Sequence, residues 1–339
     1  MALVLIFSAE AFLFSKSYLL VDRANTSIAY KTIHESDFDG KDVVFFGASQ
    51  VLLGVDTGFI EEALHHRLSI GNYCVAWTGT NLHFYLSLKK YLKHHEKPKL
   101  ILVSVPARCF GQIEPDGIFI NDNDGATSRF RRYFDFDLLW DEPIEGKWKV
   151  LGEYYNNLLP SLKYKDFIKD YLIHSLIHPL PGMEGVVEIN QDRIERLKKS
   201  NGHLGVEHVL PADDTGLKDY IPKYALVYTG NREQDRSIER FVELADREGI
   251  PTIFFHTPLI DQRYPSIQEK GWLSYIDARL ESYEKQYKHF TYLRIKKIDY
   301  ESRYFSDWVH LNEEGAEIFT EDLFTYLEPI LKKEGLLRE

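Results

Sequence analysis

Lys41-Asp42-Val43-Val44-Phe45-Phe46-Gly47-Ala48-Ser49 decides how this chain is read. Four consecutive apolar residues, β-branched then aromatic, fit a short strand buried on both faces, as in a parallel sheet. Gly47 permits a tight turn and a close backbone approach directly after that strand. Ser49 is then presented on the strand-to-helix connection. Beyond it, Asp56 or Thr57 can cap a helix, Glu61 and Glu62 suit its first turn, and Leu64 and Leu68 continue an apolar face. A serine so placed is either an ordinary turn residue or a hydroxyl that a base can activate.

Outward from this stretch the pattern repeats. Strands are expected at about 72–77 and 99–105, the latter carrying Leu100-Ile101-Leu102-Val103-Ser104-Val105, with helices near 57–68 and 81–95. That order is βαβαβ, which implies parallel strands. A helix from about Glu233 to Arg247 precedes Gly249, a fourth strand fits Thr252 to His256, and a fifth fits Thr291 to Ile295. The fold class is therefore α/β: a doubly wound, mostly parallel five-stranded sheet. Residues 36–339 form one domain, interrupted by a mainly helical insertion after strand three at about 111–225. The insertion holds a polar loop from Asn121 to Arg132 and apolar helical stretches at 151–162 and 167–177. It lies at the carboxyl edge of the sheet, where such segments shape pockets; a packing elaboration or an oligomer surface is the plainer reading.

The last tenth of the chain supplies what Ser49 lacks. In Phe305-Ser306-Asp307-Trp308-Val309-His310-Leu311-Asn312, an aspartate and a histidine stand three apart just before a helix. Asn312 can cap that helix, Glu313 and Glu314 suit its first turn, and Ile318, Phe319, Leu323, Leu327 and Ile330 mark its apolar face. A histidine held by a neighbouring carboxylate has one ring nitrogen fixed and the other free for a hydroxyl. An open α/β sheet brings such distant segments together along its carboxyl edge. Ser49, His310 and Asp307 are thus expected to form a nucleophile, a base and its orienter.

Phe-Phe-Gly-Ala-Ser near the start and Asp-x-x-His-Leu-Asn near the end resemble the first and last blocks of the SGNH/GDSL hydrolase superfamily. The likeness runs from about Asp42 to Leu327, apart from the insertion. Within the superfamily the chain looks most like bacterial cell-envelope members related to polysaccharide and teichoic-acid O-acyl-modifying proteins. The resemblance implies a three-layer, flavodoxin-like fold and a Ser49–His310–Asp307 triad. It also implies an oxyanion hole made by the N–H groups of Ser49 and Gly79, the latter in Ala76-Trp77-Thr78-Gly79-Thr80-Asn81. The third block departs: where the family places Gly-x-Asn-Asp, this chain has Pro106-Ala107-Arg108-Cys109-Phe110. Asn81 or Arg108 can substitute, an arginine being a strong anion donor. Alternatively Asn81 caps the next helix and Arg108 pairs with a surface carboxylate.

Composition bounds the remainder. Across 339 residues, 44% hydrophobic and 27% charged content is that of a globular protein, and a net charge of −11 argues against nucleic acid as a partner. The 21 Tyr and 21 Phe are high counts, divided between core and any sugar-stacking surface. Two cysteines give no disulfide framework, and Cys74 and Cys109 read as free thiols.

Residues 1–35 contain an apolar run from Ala2 to Phe14, too short for a comfortable span of about 20 residues and interrupted by Glu10. A signal anchor extended to Val21, an interfacial helix and a packing helix all fit. The family likeness favours an anchor with the domain outside the cytoplasm.

No cofactor or metal is expected. His174 and His178 lack the adjacent glutamate of a zinc protease motif. Asn121-Asp122-Asn123-Asp124-Gly125 fails as a calcium loop, with Ile120 and Arg131 at ligand positions. His65-His66 and His94-His95 read as solvated helix faces, and Ser128-Arg129-Phe130-Arg131-Arg132 as a solvated loop or a contact for an anionic polymer.

The expected function is a serine esterase or O-acyltransferase acting on acyl esters of a carbohydrate or cell-envelope polymer. Its partners would be an acyl donor, a glycan acceptor and a membrane acyl-transfer protein. The alternative is a non-catalytic envelope protein that binds glycan or a partner through a degenerate SGNH site.

Overall fold

Val43–Gly47 forms β1, fully buried, and it sits inside a parallel sheet because both its neighbours are parallel strands. The computed structural model describes residues 40–74, 82–104, 185–210, 232–269 and 271–337, together with Ser8 and Glu10. The elements that follow are α1 (Ser49–Gly54), α2 (Thr57–Ala63), β2 (Ile70–Asn72), α3 (Leu82–His94) and β3 (Leu100–Ser104). After them come α4 (Gly185–Lys199), α5 (Arg232–Arg247), β4 (Thr252–Phe255), β5 (Leu259–Ile260), α6 (Tyr264–Glu269), α7 (Trp272–Gln286) and β6 (Phe290–Leu293). β7 (Asp299–Tyr300), a 3₁₀ turn at Ser302–Tyr304 and α8 (Glu313–Lys333) complete the set.

The main sheet has the order β2-β1-β3-β4-β6 with every pairing parallel, and β5 and β7 form a separate parallel pair. The protein is therefore an α/β protein, with helices on both faces of the sheet. Alternation along the strands divides the core in two. Val43, Phe45, Leu100, Leu102, Ile253 and Phe255 face α1, α2, α4 and α8. Val44, Phe46, Ile101, Val103 and Phe254 face α3, α5 and α7.

Several elements differ from the sequence reading. The second strand is Ile70–Asn72, ahead of the apolar run at 73–77. The Asn72 side-chain oxygen accepts the Cys74 N–H at 3.0 Å and turns the chain out of the ladder. The helix expected over 57–68 ends at Ala63, because His65 and His66 take φ of 51° and 55°, so these histidines lie in a left-handed turn and on no helix face. His95 is not simply solvated either: its ring packs on Tyr91 with centroids 4.5 Å apart. A short helix, α1, begins at Ser49 itself and was not anticipated.

The described part of the insertion is a packing element. Ile194, Leu197, Leu204 and Leu210 join the core on the α8 face, and Asn201 and Leu210 bond Asn72 and Phe305 through the backbone. The stretches at 111–184 and 211–225 lie outside the described residues, as does the proposed N-terminal anchor apart from Ser8 and Glu10. Gly79, Asn81, Arg108, Cys109, His174, His178 and the loop from Asn121 to Arg132 lie outside them too. Cys74 is buried as a free thiol. Among the described residues, no helix is long and apolar enough to cross a membrane.

Candidate active site

The site starts with how β1 ends. A side chain on Gly47 would meet Val51 of α1 at 2.6 Å, so only glycine lets α1 close directly over the strand end. Ala48 is the cap residue of α1, and its carbonyl accepts the N–H groups of Val51 and Leu52 at 3.0 Å. Ser49 is thereby the first residue of the helix, with its N–H among those lacking an intrahelical partner. Its side chain is fixed in a mostly buried position, 6% exposed.

His310 arrives from the other end of the chain on a loop with a rigid frame. Phe305 and Leu311 form an isolated antiparallel bridge that closes the loop into a hairpin-like arch. Asn312 caps α8 by accepting the Gly315 N–H at 2.9 Å, while its own amide donates to the Arg303 carbonyl at 2.7 Å. Gly315 is needed for this docking, since a Cβ there would lie 2.1 Å from the Tyr304 carbonyl oxygen.

Three successive carbonyls of the loop are each held by a donor. Arg263 Nη1 donates to Trp308 O at 3.2 Å and Gln50 Nε2 to Val309 O at 3.2 Å. His310 O accepts the Ser306 N–H at 2.8 Å and the Ser306 hydroxyl at 3.2 Å.

Within that frame the three sequence-selected residues meet. Ser49 Oγ lies 2.7 Å from His310 Nε2, and His310 Nδ1 lies 2.7 Å from Asp307 Oδ2. The other Asp307 oxygen accepts the N–H groups of Val309 and His310 at 2.8 and 2.9 Å. An ionised carboxylate can only accept, so Nδ1 carries the ring hydrogen and Nε2 presents its lone pair to the serine hydroxyl. Burial acts to raise the Asp307 carboxyl. The hydrogen bond and charge of His310, with the two backbone N–H groups, outweigh this and hold it below the usual carboxylate range. The arrangement can accept a proton from Ser49 and stabilise the imidazolium that results.

Gln50, Arg263 and Ser306 were not singled out in the sequence. Gln50 is adjacent to Ser49, which is a signal; Arg263 lies on the turn after β5 and has no local one. A cavity of about 470 Å³ also opens between α2, α4 and α8, lined by Asp56, Glu62, Arg196, Lys199, His203 and Glu313 among others. None of the three site residues lines it, and three of its polar groups serve the fold: Asp56 caps α2, and Arg196 pairs with Glu313 at 2.7 Å. Among the described residues, no group of three or more His, Cys, Asp or Glu could hold a metal ion.

No protein-family model matches the chain, and a search of curated proteins finds no relative.

Proposed function

We propose that the chain is a serine esterase or O-acyltransferase of the SGNH type, acting on acyl esters, acetyl by preference, of a carbohydrate or cell-envelope polymer. The observation that carries this reading is the continuous Ser49–His310–Asp307 hydrogen-bond relay at the carboxyl edge of β1. The strand order β2-β1-β3-β4-β6 supports assignment to the doubly wound, flavodoxin-like class, whose ligands bind at that edge.

In the proposed reaction His310 Nε2 takes the Ser49 proton as Oγ bonds to the acyl carbon. The developing oxyanion is held by the Ser49 N–H, with Gly79 and Asn81 as the further donors implied by the family likeness. The bond to the leaving alcohol breaks, and His310 returns the proton to it. Water or a sugar hydroxyl then gives its proton to His310 and attacks the acyl carbon, and Ser49 regains its hydrogen. No cofactor enters. Arg108 is the proposed substrate-binding cation. The partners are an acyl donor, a glycan acceptor and a membrane acyl-transfer protein, with the domain outside the cytoplasm and residues 1–35 as its anchor.

The test is reaction with a serine-directed phosphonate, followed by mass mapping, alongside turnover of an aryl acetate. The expected adduct is on Ser49, and Ser49→Ala abolishes both signals while thermal unfolding stays the same. An unlabelled wild-type protein, or equal turnover in the variant, favours the alternative, a non-catalytic glycan- or partner-binding protein. The departure from the family at Pro106 to Phe110 is the feature of this chain that speaks for that alternative.

A further inference from the structure

We infer that Gln50 is a positioning residue that sets the Ser49–His310 alignment; this rests on the hydrolase reading of the same site. Three ties hold the carbonyls of the His310 loop, and they have different origins. The Ser306 tie is internal to the loop, and the Arg263 tie comes from the turn after β5. The Gln50 tie comes from the residue directly after Ser49, on the same helix, and ends on Val309, directly before His310. The serine–histidine hydrogen bond is therefore spanned by a second, parallel bond between the neighbours of each partner. Any slide of the loop along α1 must break both.

The other half of the Gln50 amide makes no comparable tie. Its Oε1 is buried and has no hydrogen-bond partner among the described residues. A small displacement of a reacting group is enough to matter: about 1 Å of misplacement can cost on the order of 10²-fold in rate.

Two variants separate positioning from packing. Gln50→Met keeps the length and loses the donor. Gln50→Glu is isosteric and places a carboxylate against the Val309 carbonyl at neutral pH, but in its protonated form it can donate as the amide does. The expected result is a fall in the rate of phosphonate labelling by roughly 10–10² in Gln50→Met, with a melting temperature close to that of the wild type. The Gln50→Glu rate, taken as a ratio to wild type at each pH, should climb toward one as pH falls and the carboxyl protonates, while the Gln50→Met ratio stays flat. A Gln50→Met rate within twofold of wild type, or a flat Gln50→Glu ratio, overturns the inference.

If the wild type itself takes no label, the hydrolase reading fails and the tie is tested by proton NMR. The low-field resonance of His310 Nδ1–H should be present in wild type and broadened by exchange in Gln50→Met. An unchanged resonance overturns the positioning role.

Discussion

Two histidine–aspartate pairs stand among the described residues, and the contrast between them separates a site from a brace. His310 and Asp307 are three residues apart in one loop and meet through Nδ1 at 2.7 Å, leaving Nε2 for the Ser49 hydroxyl. His256 lies just after β4 and reaches across to Asp277 on α7 through Nε2 at 3.2 Å. The same Asp277 oxygen accepts the Tyr292 hydroxyl at 2.5 Å, so the second pair ties β4, α7 and β6 together. Burial and the Asp277 carboxylate push the Tyr292 phenol well above its ordinary range, keeping it a hydrogen donor. Among the described residues no hydroxyl meets His256 Nδ1. Residue type alone therefore does not distinguish the pairs; what distinguishes them is which ring nitrogen the carboxylate takes and what faces the other.

The largest expected effect breaks this comparison or secures it. His310→Ala should lower aryl acetate turnover on the order of 10⁴-fold or more, with little change in unfolding. His256→Ala should leave turnover within a few-fold, yet lose about 2 kcal/mol of stability in denaturant titration through the emptied ring site and the weakened tie. Comparable activity losses in both variants would mean that His256 also serves the reaction.

Asp307→Asn comes next. Asn Oδ1 can still accept from Val309 and His310, so the loop should hold its shape. The amide NH₂, standing where Oδ2 was, cannot accept the His310 Nδ1–H, and the ring loses its fixed tautomer. Turnover should fall roughly 10³–10⁴-fold. In contrast, Asp277→Asn should leave turnover unchanged. Kinetic constants and melting curves for both variants check this.

How far these pairs were legible in the sequence follows from their spacing. Asp307 and His310 sit within one turn of chain, beside a capping Asn312, so their relation is local and could be read directly. Ser49 was legible because an unbroken apolar run ends in Gly47, and the sheet's parallel order carries it to the same edge. His256, Asp277 and Tyr292 are separated by 21 and 15 residues, and only tertiary packing joins them. The same holds for Arg263 and Trp308, 45 residues apart. The strand at 70–72 was misplaced for a local reason: Tyr73 to Trp77 has the stronger apolar signal, while the pairing uses Ile70-Gly71-Asn72 and the Asn72 side chain ends it. β5 and β7 are two residues each and lie below what periodicity can register.

A smaller effect sharpens the role of the loop's frame. Gly315→Ala drives a methyl group into the Tyr304 carbonyl, 2.1 Å away, and so pushes α8 off the base of the His310 loop. Stability should fall by roughly 1–3 kcal/mol, as overpacked positions do. Turnover should fall with it, because the shift is transmitted through the Phe305–Leu311 bridge. By comparison, Gly249→Ala, at φ 70° with open space around it, should lose stability without loss of turnover.

The smallest effect is the acid response of the two pairs. Burial acts to raise the Asp277 carboxyl, but hydrogen bonds from His256 and Tyr292 and nearby positive charge hold it below its ordinary value of 3.8. Asp307 is likewise held below 3.8, with His310 as the main stabilising partner. Depressed carboxyl values favour the folded state above the unfolded value, and that contribution is lost as pH falls from about 4 through the depressed folded values. Both carboxylates are substantially exposed, 42% and 52%, so solvent screening should hold each contribution to a few tenths of a kcal/mol. Chemical denaturation between pH 5 and about pH 3 should therefore show a shallower decline in Asp277→Asn and in Asp307→Asn than in wild type. A wild-type slope retained in Asp277→Asn would mean that His256 and Tyr292 do not stabilise the ionised form, and the second pair would no longer count as a brace.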